Sequence, residues 1–310
     1  MKKAYLDIQF SWIFAIIVGA IILFFAIFMV VKLVKTESSS QNVQTSKEIS
    51  VLLNSLETSY EQGVSSLISL PQYSRIYSTC SASGNFGSQG ILVNEKIYGK
   101  WKESKIPLIL EDKYLFIDNY AESREFYVFS KPFEFPFKIA TLTYLTSSNQ
   151  QYCFINPPTA IRDEIIKLEQ DNFVVSESNC TSESPVKICY SSGFLNCDIN
   201  VKYSENFLVK DGKTYWFVDD ASMYAGIFST KEQYECQMKR LVKRVNSLSE
   251  IYKEKILLNT YSTCKSDVLN ELESFIFYLN SYSDSKDFKN SRLILTELES
   301  ENKYSGCRLW

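Results

Sequence analysis

Carboxylates and cysteines carry the reactive chemistry of this sequence, because its 310 residues include no histidine. Without imidazole, Ser-His-Asp and Cys-His nucleophile arrangements are excluded, as are histidine-based metal sites. The pairs Glu111-Asp112 and Asp219-Asp220 remain for acid-base work or calcium binding. Adjacent acids at strand ends serve far more often as caps and solvated turns, which is the reading adopted for both. Gly84-Asn85-Phe86-Gly87-Ser88-Gln89-Gly90 is glycine-rich but lacks a following Lys-Ser/Thr and opens no helix. It reads as a flexible loop, not a phosphate cradle. No catalytic residue, cofactor or metal is assigned, and a non-enzymatic protein is expected.

The eight cysteines are Cys80, Cys153, Cys180, Cys189, Cys197, Cys236, Cys264 and Cys307. An even number with no Cys-x-x-Cys pair reads as disulfides, the plainer alternative being reduced thiols buried in a cytosolic core. Asn179-Cys180-Thr181 matches a glycosylation acceptor, usable only outside the cytoplasm. Lys239, Arg240, Lys243 and Arg244 lie at helical spacing beside an apolar stripe. They form either a contact for an acidic partner or a solvated helix face.

What positions these groups begins with an anchor. Residues 12–31 are twenty consecutive residues without a charge. As a helix they cover about 30 Å, the thickness of a bilayer core. The run is longer than the apolar core of a cleaved signal and ends in Val30-Val31-Lys32, so a retained anchor is preferred. Lys2 and Lys3 on one side nearly balance Lys32 and Lys35 on the other, so charge alone does not orient it. The cysteines and the acceptor at Asn179 favour a cytoplasmic N-terminus and an extracytoplasmic domain.

Beyond the anchor, 45% apolar, 15% aromatic and 22% charged residues describe a folding chain. A net charge of -3 argues against a nucleic-acid partner. Residues 36–46 show no apolar period. Ile49, Leu53, Leu56, Tyr60, Gly63, Leu67 and Leu70 then follow a 4-3-4-3-4-3 spacing, which predicts a helix ended by Pro71. Packing on its own domain is preferred to a self-associating stalk, because Gly63 interrupts the seam.

Strands are predicted at residues 91–93, 114–117, 126–129, 139–145 and 152–155, and a helix at 159–170. Asp211-Gly212 marks a type I′ hairpin between 207–209 and 215–218. Three helices follow, at about 231–259, from Val268 to Tyr282, and at 285–301. The first, if continuous, separates Cys236 from Cys264 by on the order of 40 Å, so these two cannot bond. The expected pairs are Cys264 with Cys307, and Cys236 with a cysteine of the strand region such as Cys197.

The fold class is therefore α+β: a transmembrane and an amphipathic helix, a mainly antiparallel β central region, and a C-terminal helical hairpin or three-helix bundle. The boundaries are a cytoplasmic tip (1–11), a transmembrane helix (12–34), a linker with an amphipathic helix (35–71), a β-rich extracytoplasmic domain (72–229) and a helical region packed on it (230–310).

The order of the first parts, Met1-Lys2-Lys3, Asp7-Ile8-Gln9-Phe10-Ser11 and then a long apolar helix, resembles archaeal pilin-like proteins with class III signal sequences. That resemblance covers about the first 70 residues. It implies removal of the basic tip and packing of the helices into a filament. The cleavage context Lys3-Ala4-Tyr5-Leu6-Asp7 departs from the family pattern. The later half, including Tyr234-Glu235-Cys236 and Lys239-Arg240-Leu241, is similar to single-pass membrane-anchored proteins of archaea with no activity assigned.

Three functions follow as expectations. The first is a non-enzymatic envelope protein acting in structure, adhesion or appendage assembly. Its partners would be the bilayer through residues 12–34 and itself or another envelope protein. The second is an anchored ligand-binding or receptor domain, and the third a carboxylate-dependent enzyme acting on glycans.

Overall fold

The computed structural model describes residues 12–32, 65–104, 107–190, 197–258, 267–304 and 309–310. The first helix, α1 (Trp12–Lys32), has 21 residues and is long and apolar enough to cross a membrane. Its large apolar side chains are exposed, as an anchor or a signal sequence requires.

A seven-stranded sheet follows: β1 (Ser65–Ser81), β2 (Ser88–Ile97), β3 (Lys100–Lys102), β4 (Leu108–Leu110), β5 (Tyr114–Phe116), β6 (Ala121–Glu134) and β7 (Lys138–Ser147). Its order is β3-β2-β1-β6-β7-β5, with β4 also on β2, and only the β5–β7 pairing is parallel. The second sheet contains β8 (Tyr152–Ile155), β9 (Phe173–Val174), β10 (Val186–Cys189), β11 (Ile199–Lys202), β12 (Phe207–Lys210) and β13 (Lys213–Trp216). Its order is β13-β12-β11-β10-β8-β9. The β9-β8-β10-β11 run is parallel, and the β12–β13 hairpin turns through Asp211 and Gly212, both at positive φ. The central region is thus mainly antiparallel, as expected, with seven antiparallel and four parallel pairings among the described residues. Parallel pairing involves β8, with four consecutive buried residues, and β5, with three, since strands covered on both faces lose the alternation of a half-exposed strand.

The predicted helix through Leu67 and Leu70 is corrected over its last part, since both residues belong to β1; residues 49–64 lie outside the described residues. Serine-rich Ser65-Ser66-Leu67-Ile68-Ser69-Leu70 alternates with period two. Ile68 and Leu70 point to the core while Leu67 stays exposed. Pro71 falls where the β1–β6 register shifts between Ser69 and Ser74, a bulge that tolerates its missing N–H.

Helix α2 (Thr159–Lys167) lies between β8 and β9, and α3 (Asp220–Ile227) follows β13. The sequence pattern did not reveal α3, because seven of its eight residues are buried and no polar face remains to set a helical period. The helices α4 (Lys231–Leu258), α5 (Asp267–Asn280) and α6 (Phe288–Tyr304, entered through a 3-10 turn at Ser285–Asp287) occupy the expected positions. One apolar core runs from β5 to α6, centred on rings such as Phe129, Tyr144, Phe173, Tyr224 and Phe228. Phe129 and Tyr144 have centroids 4.6 Å apart. A smaller core under β1, β2 and β6 holds Ile76, Ile91, Val93 and Phe126.

Candidate functional site

Glu111 and Asp112 form the expected solvated turn: both are exposed, and Asp112 lies 3.2 Å from Lys113 Nζ. The second acidic pair is divided between two tasks. Asp219 caps α3: its Oδ1 accepts from the Ser222 amide at 2.8 Å, and Ser222 Oγ closes a capping box. The residue keeps some exposure, but its carboxyl sits among packed neighbours, including the Glu134 amide at 3.3 Å. Burial raises its pKa to about 6 against the opposing pull of the Ser222 hydrogen bonds.

Asp220 turns the other way. Its carboxylate accepts from the Tyr203 hydroxyl at 2.8 Å and lies 3.6 Å from Lys131 Nζ. Lys131, on β6, also donates to both oxygens of Glu164 on α2, at 2.6 and 2.7 Å, and the Tyr224 hydroxyl donates to the same carboxylate at 3.2 Å. Burial and then Asp220 push Tyr203 up to about 12, while burial carries Tyr224 well above the ordinary range. One ammonium thus joins carboxylates from α2 and α3 to the first sheet. Each charged group has its partner, and no group of metal-ligating side chains occurs among the described residues.

Within the basic group on α4, Arg240 is internal and fully buried, which removes it from the partner-contact expectation. It donates to the carbonyls of Phe86 (3.1 Å), Lys113 (3.0 Å) and Glu111 (2.7 Å) and to Gln237 Oε1 (2.7 Å), with its guanidinium 4.7 Å over the Tyr114 ring. Lys243 donates to the carbonyls of Ala82 and Gly84. Lys239 is exposed and Arg244 partly so.

The glycine-rich run is a pinned hairpin turn and not a free loop. Gly84 and Gly87 adopt φ of 75° and 64°, and a Cβ on Gly87 would stand 2.3 Å from the Ser81 carbonyl. Gln233, Cys236, Arg240 and Lys243, spaced 3-4-3, share the α4 face that meets this hairpin. Gln233 Nε2 donates to the Ser78 carbonyl and Cys236 is bonded to Cys80. The partner of Cys236 is therefore a strand-region cysteine, but not Cys197. That residue pairs with Cys189, and Cys153 pairs with Cys180. The proposed Cys264–Cys307 bond lies outside the described residues. Asn179 is exposed in a short 3-10 turn.

The outer face of the first sheet holds a cluster that the sequence reading missed. Tyr73, Arg75 and Tyr77 alternate along β1 with buried Ser74, Ile76 and Ser78, so all three project outward. The Arg75 guanidinium lies 4.3 Å over the Trp101 ring and 4.7 Å over Tyr120. Tyr73 flanks Trp101 at 6.1 Å and Tyr77 flanks Tyr120 at 5.8 Å. Glu122, paired with Arg75 across β1–β6, accepts its Nε–H at 2.6 Å, and Arg75 also donates to Tyr77 Oη at 3.2 Å. The Tyr77 hydroxyl and Glu122 together raise the Arg75 pKa. Lys96, opposite Trp101, lies 5.7 Å over both Tyr73 and Trp101.

At its Tyr120 end the strip opens into a cavity of about 180 Å³ lined by Asp118, Glu122, Thr146, Asn149, Gln150 and Tyr120 itself. Asn149 also reaches the Tyr73 hydroxyl at 3.5 Å. The alternation Tyr73-x-Arg75-x-Tyr77 is the signal available in the sequence, and a helix ended by Pro71 leaves it no strand to belong to.

Chemically, the strip offers partly exposed aromatic rings interleaved with Arg75 and Lys96, and the cavity offers carboxylate and amide groups converging on a small space. Compared with known proteins, the chain matches no protein family, and no curated protein or solved structure is significantly similar to it.

Proposed function

We propose that this protein is a non-enzymatic recognition module of the cell envelope, anchored by α1 with its N-terminus in the cytoplasm and its disulfide-closed domain outside, where it acts in adhesion. The observation that carries the reading is the aromatic strip opening into a polar cavity on the first sheet. Three disulfides behind an apolar N-terminal helix support the exterior placement, since such bonds persist in oxidising compartments. The carboxylates argue for binding over catalysis: Asp219 is engaged as a cap, and Glu164 and Asp220 are held by one lysine.

The test is labelling of intact cells with a membrane-impermeant amine reagent followed by peptide mapping. Modification of exposed Lys239 without cell lysis is the expected result. Modification only after lysis would refute the exterior placement.

A further inference from the structure

We propose that the strip and its cavity bind a neutral pyranose glycan, with one sugar ring in the cavity and the next units along Tyr120, Trp101 and Tyr73. This deepens the recognition reading above, on which it rests for access to the ligand. Three observations select this chemistry. The rings are presented, not packed away: Tyr120 is 45% exposed at the cavity mouth, and Tyr73, Tyr77 and Trp101 are each partly exposed. A pyranose offers a flat face of C–H groups to such rings and hydroxyls at its edge.

The cavity also has the right scale. At about 180 Å³ it is below the roughly 300–1,000 Å³ of cofactor-sized sites, and so suits a single ring. Its polar groups, Asp118, Glu122, Asn149 and Gln150, present the acceptors and donors that vicinal hydroxyls need.

The charge lining the cavity decides between glycan classes and against nucleic acid. Glu122 is already paired with Arg75, and Asp118 with Lys210 at 3.0 Å. Two carboxylates line the cavity and no Lys or Arg among the described residues does, so a uronate or a phosphate entering it meets no free positive charge. A neutral hydroxyl can still donate to their remaining lone pairs. Arg75 has a positioning part: clamped between Trp101 and Tyr120 and held by Glu122, it fixes the spacing of the two rings.

The experiment uses the full chain in lipid nanodiscs free of sugar-based detergent. Cellohexaose, maltohexaose, chitohexaose, hexagalacturonate and a twelve-residue oligothymidylate are titrated by calorimetry. Saturable binding of at least one neutral hexasaccharide is expected, with no binding of the uronate or the oligonucleotide. Tyr120→Ala and Trp101→Ala should each weaken it about tenfold, the upper range for one lost ring contact, with unchanged melting temperature. If Tyr120→Ala fails to fold, Tyr120→Leu takes its place.

No binding of any neutral probe, preference for the uronate or oligonucleotide, or equal affinity in the ring variants would overturn the proposal. Because the titration uses purified protein, its failure is separate from failure of the exterior placement, which the cell-labelling experiment reads.

Discussion

Arg240 and Arg75 both lie over aromatic rings, yet one closes the molecule and the other opens it. Arg240 is fully buried, with its donors given to three backbone carbonyls and a glutamine. Arg75 is partly exposed and held by a carboxylate and a tyrosine, with two rings at the surface beside it. The same side-chain chemistry therefore has opposite uses. Three backbone carbonyls make Arg240 a fastener between α4 and the first sheet. A carboxylate that water also reaches leaves Arg75 a surface group.

The sharpest way to break this contrast is Arg240→Ala, which leaves buried carbonyls and Gln237 without their donor. A loss of about 2–4 kcal/mol is expected by denaturant titration, at about 1–3 kcal/mol for each buried acceptor left unsatisfied, and it is not rescued by Arg240→Lys, because an ammonium cannot reproduce the planar fork. Replacing Cys80 and Cys236 together by serine frees the same hairpin from α4 and should lower stability by about 2–4 kcal/mol. Asp219→Ala removes the α3 cap for about 1 kcal/mol. Arg75→Ala should lower stability by about 1 kcal/mol or less, since its pair with Glu122 is partly solvated, while disturbing the ring strip. Equal losses at Arg75 and Arg240 would erase the distinction.

Asp219 adds a pH signature. Its folded pKa, about 6, lies above the ordinary value of 3.8, so the folded state retains a proton that the unfolded chain has released. Its contribution to stability is therefore present at the acid end of that interval, falls as pH rises through it, and is absent above. Thermal melts across pH 4 to 6.5 should show this slope in the wild-type chain and a flatter profile in Asp219→Asn.

The contrast also marks how far the sequence could be read. The three C-terminal helices and the Asp211-Gly212 hairpin were legible because their signals are local: an apolar stripe with one period, and two adjacent residues suited to positive φ. Helix α3 was not, because burial on every side erased its period. Nor were the parallel pairings of β8 and β10, which depend on partners distant in sequence.

The basic group was recognised as a set, but its role was not legible. Whether Arg240 meets solvent or three carbonyls is decided by the β1–β2 and β4–β5 turns crossing its face of the helix. The aromatic strip draws on β1, β3 and the loop before β6, so its members come together only when the sheet forms.

The most direct test of the account is the intact mass of the chain extracted from native membranes and treated with a thiol alkylating agent, with and without prior reduction. The account predicts that α1 is retained, and that Cys80, Cys153, Cys180, Cys189, Cys197 and Cys236 take alkyl groups only after reduction. Alkylation of those six without reduction, or a mass lacking the apolar segment, would contradict an anchored, disulfide-closed exterior domain.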